Sequence, residues 1–286
     1  MNYLEADFTL NPYSEINADI LKALAGDGGF ESFTDTASGF KAYIQEENYN
    51  KTMVEDALHS FPLEFQFSYT LKKAEDKDWN ETWEKEGFEP VYLGTKQNIA
   101  IHDTLHPLKK KVEYDILINP QLAFGTGTHE TTGMLLEWLS EEDLHGKSIL
   151  DMGCGTGILG IFSIMRHADK VTAIDIDEWS VRNTKDNARL NHLENHLEAL
   201  KGDASILTER GVYDVVIANI NRNILLRDIP AYAASMKEVG SILYLSGFYT
   251  EDVPVLVEKA QGYGFEKAGE NDRNNWASLK LIREKN

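Results

Sequence analysis

Cysteine is almost missing from this chain: Cys154 is the one instance in 286 residues, so no intrachain disulfide can form and a reducing compartment is expected. No apolar run approaches the roughly 20 residues that a membrane-spanning helix requires. The opening, M-N-Y-L-E-A-D-F, lacks the basic and apolar regions of a signal peptide, and a cytoplasmic location is expected. Positive charge is scarce, with 28 Lys and Arg against 47 Asp and Glu, for a formal net charge of −19. Bare nucleic acid is therefore not an expected partner, because binding phosphates takes a basic stripe. An acidic surface can attract a basic protein or simply keep the chain soluble, and composition leaves both open. The histidines show no ligand spacing with Cys or carboxylates, so no metal is expected. Internal repeats and low-complexity segments are absent as well. Hydrophobic content of 42% and charged content of 26% are those of a globular protein, long enough for one large or two ordinary domains.

What is present centres on Ser148–Gly160, S-I-L-D-M-G-C-G-T-G-I-L-G. A short apolar strand runs into Asp151, glycines follow at Gly153, Gly155 and Gly157, and a helix opens through Ile158. Such a turn lets a ligand lie against bare backbone, with the helix N-terminus presenting unpaired N–H groups and partial positive charge. The dinucleotide pattern G-x-G-x-x-G is literally present at Gly155, Gly157 and Gly160. The register argues against it: Asp151 stands two residues before the first glycine, giving the D-x-G-x-G-x-G pattern of S-adenosylmethionine-dependent methyltransferases. A carboxylate there suits a ligand with an ammonium and a sulfonium, and would repel a pyrophosphate. The strand Lys170–Ile174 ends in Asp175, placed to take both ribose hydroxyls. Cys154 is read as a small residue beside the cofactor.

Residues 1–72 read as β-α-β-β-α-β: a strand at Tyr3–Leu10, a helix capped by Ser14, a hairpin around Ala37-Ser38-Gly39, a helix at Lys51–Ser60 and a strand at Phe65–Leu71. That order is ferredoxin-like, and docking is its functional reading. A charged helical linker, residues 73–90, carries Trp79 and Trp83 four apart on one face. Short strands at Val91–Leu93, Ile99–His102 and Glu113–Ile118 come before the loop Asn119–Thr132, N-P-Q-L-A-F-G-T-G-T-H-E-T-T. As a cofactor lid this loop offers Gly hinges, Phe124 for cover and hydroxyls such as Thr126 for the methionine end; a plain loop is the alternative. His129 is expected to make a structural hydrogen bond within it.

Further strands at Leu197–Leu200, Val212–Ala218 and Ser241–Ser246 alternate with helices, and Phe265–Ala268 and Trp276–Ile282 close the chain as a pair. The expected fold is α/β, a doubly wound seven-stranded Rossmann-like sheet over residues 91–286 with an antiparallel strand near one edge. Asp203 can accept from an adenine amino group or cap the next helix. Asn219, ending the fourth strand, can aim the lone pair of an amine with its carbonyl, or cap the helix after it.

Together L-A-F-G-T-G-T-H-x-T-T, D-M-G-C-G-T-G-I-L-G-I, A-I-D-I-D and A-N-I resemble the PrmA-type methyltransferases, which modify large-subunit ribosomal protein eleven. The resemblance covers nearly the whole chain and implies S-adenosylmethionine as methyl donor. It makes Thr132, Gly153, Asp175 and Asn219 cofactor contacts, and residues 1–72 the substrate-recognition domain. The chain departs from the family pattern at Asn119, Gln121, Glu130 and Asn221-Arg222. The expected protein is a monomeric methyltransferase of amines on a ribosomal protein, with Asn219 catalytic and with Asp151, Gly155, Phe124, Thr126 and Asp203 joining the cofactor site. A small-molecule methyltransferase of the same fold and a non-catalytic binding module are the competing readings. The dedicated first domain counts against the former, the intact glycine turn and Asp175 against the latter.

Overall fold

Alternation of apolar and polar residues sets the first sheet. In the computed structural model, which describes residues 3–46, 48–59, 65–73, 87–94, 98–119, 129–208, 212–237 and 239–284, the chain divides into two units, Met1–Trp79 and Asn80–Asn286. The first holds β1 (Tyr3–Asn11), α1 (Glu15–Asp27), β2 (Ser32–Thr36), β3 (Gly39–Gln45), α2 (Lys51–Leu58) and β4 (Gln66–Lys73). Its strands form one antiparallel sheet in the order β2-β3-β1-β4, the ferredoxin-like arrangement. Ala6, Phe8 and Leu10, every second residue of β1, bury with Leu21, Ala25, Val54 and Leu58 of the two helices. Phe8 stacks on Phe40 and on Tyr69, at 4.7 and 4.9 Å between ring centroids. Ser14 caps α1 through the Asn17 N–H, and Asn50 caps α2 through Met53.

The second unit begins with a small sheet of β5 (Val91–Leu93), β6 (Ile99–His102) and β7 (Tyr114–Leu117), in which β6 and β7 run parallel. Then follow α3 (Glu130–Glu141), β8 (Ser148–Met152), α4 (Ile158–Met165), β9 (Lys170–Asp175), α5 (Glu178–Leu190) and β10 (Leu197–Lys201). A 3-10 turn at Ala204–Ile206 leads to β11 (Val215–Asn219), α6 (Arg222–Ser235), β12 (Ile242–Tyr249), α7 (Val253–Gln261), β13 (Phe265–Arg273) and β14 (Trp276–Arg283). The seven strands β8–β14 lie in the order β10-β9-β8-β11-β12-β14-β13, with β14 antiparallel to both neighbours and β8 to β12 parallel.

Both faces of the central strands β8, β9, β11 and β12 are covered, which is why they read as apolar runs. Ile149 and Ile217 bury on one side with Leu135, Phe162 and Val181 of α3, α4 and α5. Leu150 and Val216 bury on the other with Leu225, Ile229 and Leu256 of α6 and α7. This is the doubly wound architecture expected from the sequence. Because β8 stands between β9 and β11, the strand order reverses there, opening a crevice at the carboxyl ends where such sheets bind ligands.

The closing hairpin is longer than its sequence suggests. β13 continues past Ala268 to Arg273, and Asn274 and Asn275 turn the chain with φ of 47° and 69°. Asparagine tolerates that left-handed conformation better than other side chains do. Among the described residues no helix is long and apolar enough to cross a membrane. The expected linker helix with Trp79 and Trp83 falls mostly on residues 74–86, outside the described residues.

Candidate active site

Four neighbouring strand ends, those of β10, β9, β8 and β11, line the crevice, and each brings a residue. At the end of β8, Gly153 turns with φ +69°, and a Cβ there would meet Ile220 Cγ2 at 2.4 Å. The same Ile220, just past β11, is also approached by Gly247, whose φ is +91° and whose Cβ would lie 2.6 Å from the Ile220 carbonyl. Two glycines thus leave room for the chain just after Asn219. The turn itself is pinned from β9: the Gly153 and Cys154 N–H groups donate to the Ile174 carbonyl at 2.8 and 3.2 Å.

Asp175, at the tip of β9, accepts the Gly155 N–H on Oδ2 at 3.0 Å and the Asp177 N–H on Oδ1 at 3.0 Å. Each carboxylate oxygen has a second lone pair, so these bonds orient the group without exhausting it. Asp151 lies deeper. It is 1% exposed, and its Oδ2 accepts the Gly160 N–H at 3.0 Å. Burial, with Asp175 adding repulsion, pushes its carboxyl up from 3.8 to about 7 against the opposing pull of the Gly160 N–H. Burial likewise pushes the Cys154 thiol up. Just past β10 the Asp203 side chain accepts the Ser205 N–H at 2.9 Å and caps the 3-10 turn; hydrogen bonds from the Ser205 hydroxyl, then from its N–H, hold the carboxyl below the usual range.

Asn219 and Thr132 come together. The Asn219 amide nitrogen donates to Thr132 Oγ1 at 3.3 Å, joining β11 to α3, with Thr132 3% exposed. The cap of α6 is Asn221, whose side chain accepts the Ile224 N–H, so Asn219 is free of the capping duty weighed for it from sequence. His129 caps α3, accepting the Thr131 N–H, and its Nδ1 lies 2.8 Å from the Thr131 hydroxyl. Its ring meets Trp276 edge-on at 4.9 Å, and Trp276 packs on Tyr249 at 4.4 Å. Phe124 and Thr126 lie outside the described residues.

The family described as Ribosomal protein L11 methyltransferase (PrmA) matches residues 22–284 of this chain. The chain belongs to this family. A Ribosomal protein L11 methyltransferase of Phocaeicola vulgatus is 51% identical over 99% of this chain and 99% of its own. One of Bacteroides fragilis is 48% identical over 99% of this chain and all of its own length. A solved structure of a ribosomal protein L11 methylase from Lactobacillus delbrueckii subsp. bulgaricus shares the fold, with a TM-score of 0.62 at 24% identity, covering 69% of this chain and 100% of that one.

Sequence reasoning passed over several residues that build the family's glycine turn here. Thr184 of α5 donates its hydroxyl to the Gly155 carbonyl at 2.9 Å, and Asn187 donates to the Thr156 carbonyl at 2.9 Å. Ile176, beside Asp175, is 69% exposed although apolar. An aliphatic residue directly after the acid that ends β9 was the available signal for it. Gly247 carried no signal within its own strand, because what it clears is a chain segment from β11.

Proposed function

We propose that this protein transfers methyl groups from S-adenosylmethionine to amines of ribosomal protein L11, at lysine side chains, the N-terminal amine or both. The observation that carries the reading is the pairing of an Asp175-braced glycine turn with the Asn219–Thr132 contact at the neighbouring strand end. The donor set fits the cofactor. Asp175 offers carboxylate oxygens to vicinal ribose hydroxyls, Ile176 an exposed apolar surface to a flat base, and Asp151 a buried acid to a cationic tail. Gly153 and Gly155 present bare backbone, Asp203 stands at the base end of the crevice, and Thr132 and Asn219 stand at the reacting end. Phe124 and Thr126 are assigned to the same site from the reading of their loop as a cofactor lid.

S-adenosylmethionine, when bound, supplies an electrophilic methyl on a good neutral leaving group, so the chain's own task is positioning. The acceptor must be an uncharged amine, whereas a free lysine holds its proton to a pKa of about 10.4. Thr132 engages the Asn219 amide nitrogen, which directs the Asn219 carbonyl oxygen to accept a hydrogen bond from the amine. That bond turns the amine's lone pair toward the methyl and counts mainly in the transition state. The Asn219 or Ile220 backbone carbonyl can take a second amine hydrogen, with Gly153 and Gly247 leaving room for Ile220. The apolar edge of Trp276 and Tyr249 favours the neutral amine by withholding water from its charged form.

Residues 1–72 carry no candidate chemistry, and we assign them to docking the substrate protein. We place the reaction in the cytoplasm, by a monomer acting on protein without binding nucleic acid. The reading is tested by titrating S-adenosylhomocysteine and NAD into the protein by calorimetry, then by intact-mass measurement of L11 after incubation with S-adenosylmethionine. Binding of the first ligand alone and mass gains in steps of one methyl are expected. Binding of NAD alone would sink it, and a small amine methylated while L11 stays unmodified would favour the small-molecule reading.

A further inference from the structure

Helix α5 carries Asn183 and Asn187, and Asn191 caps its C-terminal end, the three standing four residues apart and so along one face. That face meets the outer edge of β7, whose other edge pairs with β6. A strand edge presents alternate N–H and C=O groups that need partners. Here side-chain amides supply them in place of a strand. Asn191 accepts the Leu117 N–H at 3.0 Å and donates to the Leu117 carbonyl at 2.7 Å. Two residues on, Asn187 accepts the Asn119 N–H at 2.9 Å and Asn183 donates to the Asn119 carbonyl at 2.7 Å.

Asn187 differs from its neighbours in reach. Its amide nitrogen also donates to the Thr156 carbonyl inside the glycine turn at 2.9 Å, and Asn187 and Thr156 are both 0% exposed. One planar amide therefore fixes two backbone segments at once, the turn after β8 and the chain leaving β7. At the turn both partners are shut off from water, so losing this bond leaves the Thr156 carbonyl without solvent to replace it and removes one of the ties that hold the turn.

We propose that Asn187 is a positioning residue for the reaction: by tying the Thr156 carbonyl and the Asn119 N–H to one helix, it sets the glycine turn in its ligand-binding geometry. The inference rests on the reading of that turn as the cofactor site. It gives Asn187 an effect on cofactor affinity separate from its effect on stability. Asn191 supplies the control, since it accepts from and donates to Leu117 on the same edge and makes no bond to the turn.

The experiment is calorimetric titration of S-adenosylhomocysteine into the full chain and into Asn187→Ala, Asn187→Asp and Asn191→Ala, with melting temperatures recorded without ligand. Asn187→Asp is nearly isosteric and can still accept from Asn119, but a carboxylate cannot donate to the Thr156 carbonyl. Both Asn187 variants are expected to bind at least tenfold more weakly than the unaltered chain. Asn191→Ala should bind within threefold of it while melting at a comparably lowered temperature. Equal weakening in Asn191→Ala, or unchanged affinity in the Asn187 variants, overturns the inference. Should Asn187→Ala fail to fold, Asn187→Asp and Asn187→Ser decide it by the same comparison. Absence of binding by the unaltered chain would instead overturn the cofactor reading itself.

Discussion

The carboxylate of Asp151 caps a helix that it does not belong to, accepting the Gly160 N–H at 3.0 Å in the first turn of α4. The cap position of that helix is Gly157, which has no side chain to offer, so an acid from the preceding strand satisfies the orphan donor. The arrangement is costly for the acid, because nothing else described around it favours its charge.

That cost makes Asp151 a source of pH dependence. Its folded value of about 7 stands above its ordinary 3.8, so its stabilising contribution is complete below about pH 4 and is lost as pH rises through 7. Asp151→Asn keeps an acceptor for the Gly160 N–H and removes the titration. The variant should exceed the parent in unfolding free energy at pH 8, by an amount approaching about 4 kcal/mol, and show no gain at pH 4. Urea unfolding at the two pH values measures this. A gain that is equal at both would mean that Asp151 does not titrate in this range.

Asp175 is braced by two backbone N–H groups and has lone pairs left for hydroxyls. Asp175→Ala should weaken S-adenosylhomocysteine binding by roughly 1.5–3 kcal/mol, the usual worth of hydrogen bonds to a charged group. Calorimetry on the folded variant checks this. Affinity unchanged within twofold would remove Asp175 from the ligand site.

Asn219 and Thr132 act on each other, so their substitutions should not add. Asn219→Ala is expected to lower kcat at least tenfold while changing cofactor affinity less, as for a group that counts in the transition state. Thr132→Val keeps the shape and removes the oxygen, and should lower kcat in the same sense. The double variant should be no slower than Asn219→Ala alone by more than about 1 kcal/mol in activation free energy. Additive losses would show that the 3.3 Å contact carries no coupling.

The parallel strands were legible because β8, β9, β11 and β12 are buried on both faces and so stand out as apolar runs ending in turns. The glycine turn was legible because its chemistry is local. Pairings across the sheet were not. Asn219 and Thr132 each draw notice singly, but 87 residues separate them, and no local pattern says that they touch. The far half of β13 hid because E-K-A-G-E-N-D-R is polar, and an edge strand facing solvent has little apolar alternation to show. Asp151 was read only as a ligand contact, since its partner nine residues on is a backbone N–H and leaves no mark in the sequence. The asparagine column of α5 was in plain view at spacing four. It passed unnoticed because asparagine on a helix is more often a solvated residue than the edge of a sheet.

The two units have separate hydrophobic clusters among the described residues: Phe8, Phe40 and Leu21 in one, and residues from Phe88 onward in the others. A chain segment with its own core folds as a domain. A fragment beginning at Asp76 keeps every candidate cofactor residue and both clusters of the large sheet. It also retains Trp79 and Trp83, so the cut does not remove either tryptophan. The fragment should melt cooperatively and bind S-adenosylhomocysteine within about threefold of the full chain, since the ligand contacts proposed here all follow Asn119. Its rate on intact L11 should fall by more than tenfold, because the docking surface assigned to residues 1–72 is gone. Adding a short lysine peptide in place of L11 separates the causes. If the fragment and the full chain methylate the peptide equally, the loss on L11 is one of recognition. A fragment that modifies L11 at the full rate would show that the first domain does not dock the substrate.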